Sequence, residues 1–239
     1  MILAVLSLLL AMSTSDAVSV LLNARSSVAA TVYETAWNQV KREADAGNPL
    51  QQFVMGIKMD DEILAKRYLD ASRQRIYDLA AQTDNALAWY IISVEKNDVK
   101  LLHRAAERGN VQALNALGSM FVSRALSDPS YATNGLDRVL AKSYGYFRQA
   151  AQKQDPNGYV NLGTCYLKGF GCRQDLPMAF ACFRAAAEAG HPEGMDNVSA
   201  CYQFGHGVEK DTEQCLLWAM RGRAARGDKA AAKWLEERK

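Results

Sequence analysis

The sequence predicts an all-α protein, a solenoid in which antiparallel helix pairs stack as layers. Three observations carry that prediction. Residues in the second half of the chain recur at a fixed step of 36, apolar and small residues fall on helical stripes, and paired glycines break one stripe from the next.

The step is read by setting Asn161-Leu162-Gly163-Thr164-Cys165-Tyr166 against Asn197-Val198-Ser199-Ala200-Cys201-Tyr202, each position displaced by 36. Pro156 then falls on Pro192, Gly169 on Gly205, Gly171 on Gly207 and Asp175 on Asp211. Running backward, Phe183 falls on Phe147, and Ala186-Ala187 on Ala150-Ala151. Earlier copies are degraded. Ala105-Ala106-Glu107-Arg108-Gly109 echoes Ala186-Ala187-Glu188-Ala189-Gly190, and Leu117-Gly118-Ser119-Met120-Phe121 aligns with Leu162 to Tyr166 at a step of 45. The nine extra residues are expected as a loop insertion at 122–138, between the turn signals Asp128-Pro129 and Asn134-Gly135. Ala44-Asp45-Ala46-Gly47-Asn48 marks an earlier unit, and Asp84 to Gly109 reads as a shorter pair joined at Asn97-Asp98.

Each element of one layer has a local reason. Gly158, Leu162, Gly163 and Tyr166 share one stripe of a first helix, and Gly163 lets a second helix approach closely. Gly169-Phe170-Gly171 breaks that helix. Asp175-Leu176-Pro177 starts the second, with proline tolerated in the first turn. Ala179, Cys182, Phe183, Ala186 and Ala187 form its inner stripe, which ends at Gly190. Small residues face large ones, and each pair keeps an apolar face that only a neighbouring layer can cover.

The organisation that follows is a signal peptide at 1–17, an N-terminal helical segment at 18–46 and diverged repeats at 47–109. Repeats follow at 110–155 (with the insertion), 156–191 and 192–227, then a C-terminal capping helix at 228–239. The signal-peptide reading rests on the apolar run Ile2 to Met12 and the small residues after it, too short to span a bilayer. It predicts an exported protein, periplasmic or secreted, without a membrane span once the signal is removed. No Lys or Arg precedes Arg25, and that leaves a cytoplasmic alternative. Five cysteines, an odd number, leave at least one thiol unpaired, and no C-x-x-C or zinc-ligand spacing is present.

These repeats resemble the Sel-one-like repeat (SLR) family, relatives of the tetratricopeptide repeat with a longer loop between the helices. The pattern A-x-x-x-L-G-x-x-Y-x-x-G-x-G-V-x-x-D, then A-x-x-W-Y-x-x-A-A-x-x-G, is matched well by Asn161 to Gly190 and by Asn197 to Gly227. The match is fair over Asn110 to Gln154 and weak over Gly47 to Gly109. Departures are Cys172 for valine, Cys182 for tryptophan, Cys215 for alanine, Ser199 for the helix glycine, and one extra residue between Cys215 and Gly227.

The resemblance implies a right-handed α/α superhelix that binds a protein or peptide along its concave side, with no cofactor. By analogy with the tetratricopeptide arrangement, the groove positions are Gln112, Asn115 and Ser119, then Asn157, Val160 and Thr164, then Glu193, Asp196 and Ala200. Small and polar residues of this kind suit hydrogen bonding to an extended segment. Tyr131, within the insertion, is a further partner-binding candidate. The family's disulfides join the end of one second helix to the start of the next first helix. No cysteine pair has that placement here, so free buried thiols are expected.

Enzyme motifs are sparse. His103, His191 and His206 stand alone, with His191 expected in the turn Gly190-His191-Pro192. Ser93-Val94-Glu95-Lys96 fits the S-x-x-K of serine β-lactamases without its companion motifs. That pattern supplies the alternative reading, a β-lactamase-like hydrolase on the same solenoid. Neither a metal site nor a nucleic-acid partner is expected, because the C-terminal basic residues are interleaved with Asp228, Glu236 and Glu237.

Overall fold

Short polar residues set the helix starts in this chain. In the computed structural model, which describes residues 38, 41–49, 52, 75–128 and 135–238, seven N-caps accept a hydrogen bond from a backbone N–H two or three residues on. They are Asn85, Asn110, Asp155, Asp175, His191, Asp211 and Asp228. The chain divides into two compact units, Met1–Asp98 and Val99–Lys239.

In the first unit, residues 41–45 and 75–83 are helical, and α1 runs Ala86–Lys96 and ends on Asn97 in the left-handed region. Ile76, Ala80, Ala88, Ile91 and Ile92 are buried. The expected signal peptide and most of the 18–46 segment lie outside the described residues.

The second unit is a run of helices: α2 (Val99–Glu107), α3 (Val111–Ser127), α4 (Leu136–Gln152), α5 (Pro156–Lys168), α6 (Leu176–Glu188), α7 (Pro192–Phe204), α8 (Thr212–Ala225) and α9 (Lys229–Glu236). The pairs α3/α4, α5/α6 and α7/α8 are three layers of one stack. Each second helix lies against its own first helix and against the first helix of the next layer, so α4 touches α5, α6 touches α7 and α8 touches α9.

The 36-residue step reappears in three dimensions. Tyr144 and Tyr166 meet edge to face at 5.8 Å and 82°, and Phe180 and Tyr202, each 36 residues further on, meet at 5.5 Å and 83°. The Asp175 amide donates to the Tyr166 carbonyl at 3.0 Å, and the Asp211 amide to the Tyr202 carbonyl at 3.1 Å. Phe147, Leu162, Cys165 and Cys182 form one core cluster, and Phe183, Val198 and Cys201 the next.

The loop glycines tie one layer to the layer before it. Gly169 and Gly205 close α5 and α7 as left-handed C-caps. Gly171 and Gly207, also at positive φ, lie flat against the carbonyls of Leu140 and Leu176, where a Cβ would collide with backbone. Leu140 and Leu176 are themselves 36 apart and belong to the preceding layer's second helix.

Two sequence departures find their explanation in packing. Gly118 and Gly163 lie against the rings of Phe147 and Phe183, leaving no room for a side chain. In the third layer Ser199 replaces the glycine, and Ala219, 36 residues after Phe183, replaces the phenylalanine. The freed space takes the Ser199 hydroxyl, which donates to the Cys215 carbonyl at 2.8 Å. The extra residue before Gly227 is helical, because α8 has 14 residues where α6 has 13.

The insertion differs from the loop expected at 122–138. α3 and α4 each have 17 residues where α5 and α6 each have 13, so eight of the nine extra residues add one turn to each helix. Apolar residues at helical spacing, Val122 and Ala125 in one helix and Leu136, Val139 and Leu140 in the other, continue the stripes past the usual break. The layer is taller by about 6 Å. Tyr131 lies outside the described residues.

Candidate partner-binding face

First helices of successive layers touch directly, α3 with α5 and α5 with α7, and approach each other more closely than the second helices do. In a curved stack the closely spaced side is the inside. The concave face is therefore built on α3, α5 and α7, the helices that carry the expected groove positions.

Several of those positions are engaged in joining layers. Asn115 donates to the N-cap carboxylate of Asp155 at 2.7 Å, and its own carbonyl accepts from Asn161 at 3.3 Å. The same Asp155 oxygen accepts from the Gly158 amide at 2.7 Å, so one carboxylate caps α5 and holds α3 to it. Asn157 meets the Nε2 of His191, the N-cap of α7, at 3.2 Å. Asp196 takes two donors from Arg226, at the C-cap of α8. The first two layers thus each reach toward the start of the next, whereas the Asp196–Arg226 pair joins the two helices of one layer. Both members of the Asp196–Arg226 pair are well exposed, which limits its contribution to under about 1 kcal/mol.

Of the remaining positions, Val160, expected to line the groove, belongs to the core and is not available to a partner, whereas the others are less committed. Val160 is buried at 4% exposure, and the Thr164 hydroxyl donates to its carbonyl at 3.0 Å. Gln112 and Ala200 are half-buried, and Ser119 and Glu193 are exposed. Sequence reasoning passed over Asn161 and Asn197 as framework, although the structure places Asn161 among the bridging residues. Their identity at a step of 36 was the available signal.

Formal charge is distributed unevenly. α3 has no ionisable acid or base from Val111 to Ser123, and α5 none from Pro156 to Leu167 apart from Tyr159, Cys165 and Tyr166, which are neutral near pH 7. α4 alone carries Asp137, Arg138, Lys142 and Arg148. On the first helices of the stack the acids are Glu193 and Asp196, the latter bridged to Arg226.

His191 is a pH-dependent joint in this ladder. Its Nδ1 accepts from the Gly194 amide at 3.4 Å, so the proton of the neutral ring belongs on Nε2, facing the Asn157 carbonyl. Burial lowers its pKa below the ordinary 6.5. The carboxylates of Glu193 and Asp155 oppose that shift, and the Arg226 guanidinium adds to it. The folded state binds the proton more weakly than the unfolded chain does. Stability is therefore full above about pH 6.5 and falls as the pH drops below that value toward the lowered folded pKa. Urea unfolding at about pH 5 and about pH 8 is expected to show this loss, and His191→Asn, which keeps a cap, to flatten it.

The Sel1 repeat pattern matches residues 99–110, 111–155, 156–191 and 192–219, half of the chain. The chain belongs to the Sel1 repeat family. A curated relative, the ERAD-associated E3 ubiquitin-protein ligase component HRD3B of Arabidopsis thaliana, is 27% identical over 65% of this chain and 39% of its own length. The crystal structure of a protective antigen of uropathogenic Escherichia coli, displaying an SLR fold, aligns with a TM-score of 0.54 at 21% identity. That alignment covers 84% of this chain and 45% of the antigen. A Sel1 repeat protein from Oxalobacter formigenes aligns at TM-score 0.45 and 27% identity, over 52% of this chain and 88% of that one. The chain thus spans under half the length of the plant relative and of the antigen.

Other candidate chemistry in this Sel1 chain has local structural explanations. Ser93 is buried at 3% exposure and donates to the Tyr90 carbonyl at 2.7 Å, while the Lys96 ammonium lies over the Tyr77 ring. His103 meets the Tyr146 hydroxyl at 3.2 Å beside Phe121, and His206 lies against Phe204. All five cysteines are free. Burial pushes Cys165 up to about 12, with Cys172 and Cys182 adding to it, and pushes Cys182 and Cys201 to about 11. Thiols so protonated behave as small apolar side chains. Among the described residues, no helix is long and apolar enough to cross a membrane.

Proposed function

We propose that this chain is a non-enzymatic interaction scaffold, which holds a protein or peptide partner along the concave face of α3, α5 and α7. One observation carries the reading. Gln112, Ser119 and Asn197 lie on these first helices, and no side-chain hydrogen bond to them is found among the described residues. The bonds from Asn115 and Asn157 tie neighbouring layers and so preorganise the face.

The test is capture of partners from the native cell with the full chain and three variants. Ser119→Arg and Asn197→Arg on the face are expected to lose the partner, whereas Arg184→Ala on α6 keeps it. Circular dichroism melts check that all three remain folded. Retention of the partner by both face variants would refute the reading.

A further inference from the structure

We infer that the outer face of α4 is a second docking surface, separate from the concave one, which takes an acidic, carboxylate-rich segment of a protein partner. Residues 99–153 hold eight Lys and Arg against three Asp and Glu, a net charge of +5, whereas the rest of the chain is net −3. Within that region the cations of α4 fall in a line. Leu140, Ser143, Phe147, Ala150 and Ala151 are the buried side of the helix. Arg138, Lys142, Gly145, Gln149 and the C-cap Lys153 follow one another at steps of three or four on the opposite side, which places them on one stripe.

This stripe is open. Arg138, Lys142, Gln149 and Lys153 are exposed, and a Cβ at Gly145 would meet nothing within 4 Å. No cation of the stripe forms an ion pair among the described residues. Lys142 lies over the Phe121 ring, 5.5 Å from its centroid, and Arg148 on the flank lies over Tyr144 at 5.8 Å. The acids of the helices around α4 are Glu107 on α2, Asp128 at the end of α3, Asp155 at the start of α5, and Asp175 and Glu188 on α6. Asp155 is buried at its cap, Asp175 caps α6 and Glu188 pairs with Arg184. None of these five, nor Asp137 on the flank of α4 itself, bridges a cation of the stripe.

The repeat does not require this charge. At a step of 36 the same five positions are Gln174, Met178, Ala181, Ala185 and Ala189, all uncharged, and that layer stacks as well. The cations of α4 are therefore available to a contact outside the stack, and clustered like charges favour an occupant of opposite sign. Chemistry narrows the choice. Single-stranded nucleic acid needs an aromatic platform for its bases, but the Phe121 ring is stacked on Tyr146 at 5.8 Å and 8° and lies beneath Lys142. A membrane surface is gripped through exposed apolar side chains, and α4 carries none of the large exposed hydrophobics among the described residues. Protein carboxylates remain, and they pair with both guanidinium and ammonium groups. From Arg138 to Lys153 the helix rises about 22 Å, which an extended segment of about seven residues covers.

The probe is a fluorescent peptide of about ten residues, alternating Glu and Ser, titrated with the full chain and read by anisotropy. It is expected to bind, with affinity falling more than about tenfold between about 0.05 and 0.5 M salt, whereas its Gln-Ser counterpart does not bind. Gly145→Glu is the sharpest variant. It improves helix propensity and displaces nothing, yet its carboxylate stands three residues from both Lys142 and Arg148 and neutralises the middle of the stripe. Affinity is expected to drop about tenfold in Gly145→Glu, to drop about threefold in Lys142→Gln and to be unchanged in Arg184→Gln on α6. Circular dichroism melts check that each variant is folded. No binding of the Glu-Ser peptide, equal binding of the Gln-Ser peptide, or full affinity in Gly145→Glu overturns the inference. Tighter binding of phosphatidylserine vesicles, or of single-stranded or duplex oligonucleotides, does so as well. Asn197→Arg on the concave face is expected to leave the peptide bound, so the outcome here is independent of the scaffold test, and loss of the peptide from that variant would also overturn a separate surface.

Discussion

Gly207→Ala, like its counterpart Gly171→Ala, is expected to be among the most damaging single-methyl changes at the described glycines, costing about 3 kcal/mol or more and about 10 °C in melting temperature. Two costs add. An alanine at φ +75° pays about 1 kcal/mol for a left-handed conformation. Its Cβ would also enter the space of the Leu176 carbonyl and the Pro177 nitrogen, which are backbone and cannot rotate away. The whole hairpin loop must therefore lift off the preceding layer. Gly205→Ala is the internal control. It has nearly the same φ, but its nearest neighbour is the flexible Lys210 side chain at 3.2 Å, so about 1 kcal/mol is expected. Denaturant unfolding of the two variants measures the difference. Equal losses would show that the loop does not depend on its seat against Leu176.

The second large effect is a coupling. Phe183→Ala should cost about 3–5 kcal/mol by opening a cavity in the second layer. Gly163→Ser should be severe in its own right, because a Cβ at Gly163 falls 2.7 Å from the Phe183 ring. Combined, the two changes reproduce the Ser199 and Ala219 arrangement of the third layer, and a serine at 163 gains the carbonyl of Ala179, the counterpart of Cys215. The double variant is expected to be less destabilised than the sum of the singles by about 1–2 kcal/mol. A double-mutant cycle in urea reads that coupling, and strict additivity would mean that the two positions do not share one space.

The repeat architecture was legible because its cues are local. The N-cap aspartates, the paired loop glycines and the alternation of small and large residues each sit within a few positions of one another. The insertion was misjudged for a specific reason. Asp128-Pro129 and Asn134-Gly135 mark only the ends of a connection, whereas the apolar stripes through Ala125 and Val139 show that the flanking residues remain helical. His191 was expected in a turn and is an N-cap, a role that glycine and proline neighbours conceal. The pairing of Asn115 with Asp155 spans 40 residues, and that of Asn157 with His191 spans 34, so neither follows from periodicity. Compensation of Ser199 by Ala219 likewise required knowing which helix faces which.

Because the loops of the α5/α6 and α7/α8 hairpins each rest on the second helix of the hairpin before, the stack has a direction. A layer's connecting loop finds its seat only where the preceding layer is in place. The contacts run from α4 toward α8, the same sense in which a ribosome releases the chain, so each of these loops docks on a helix made before it.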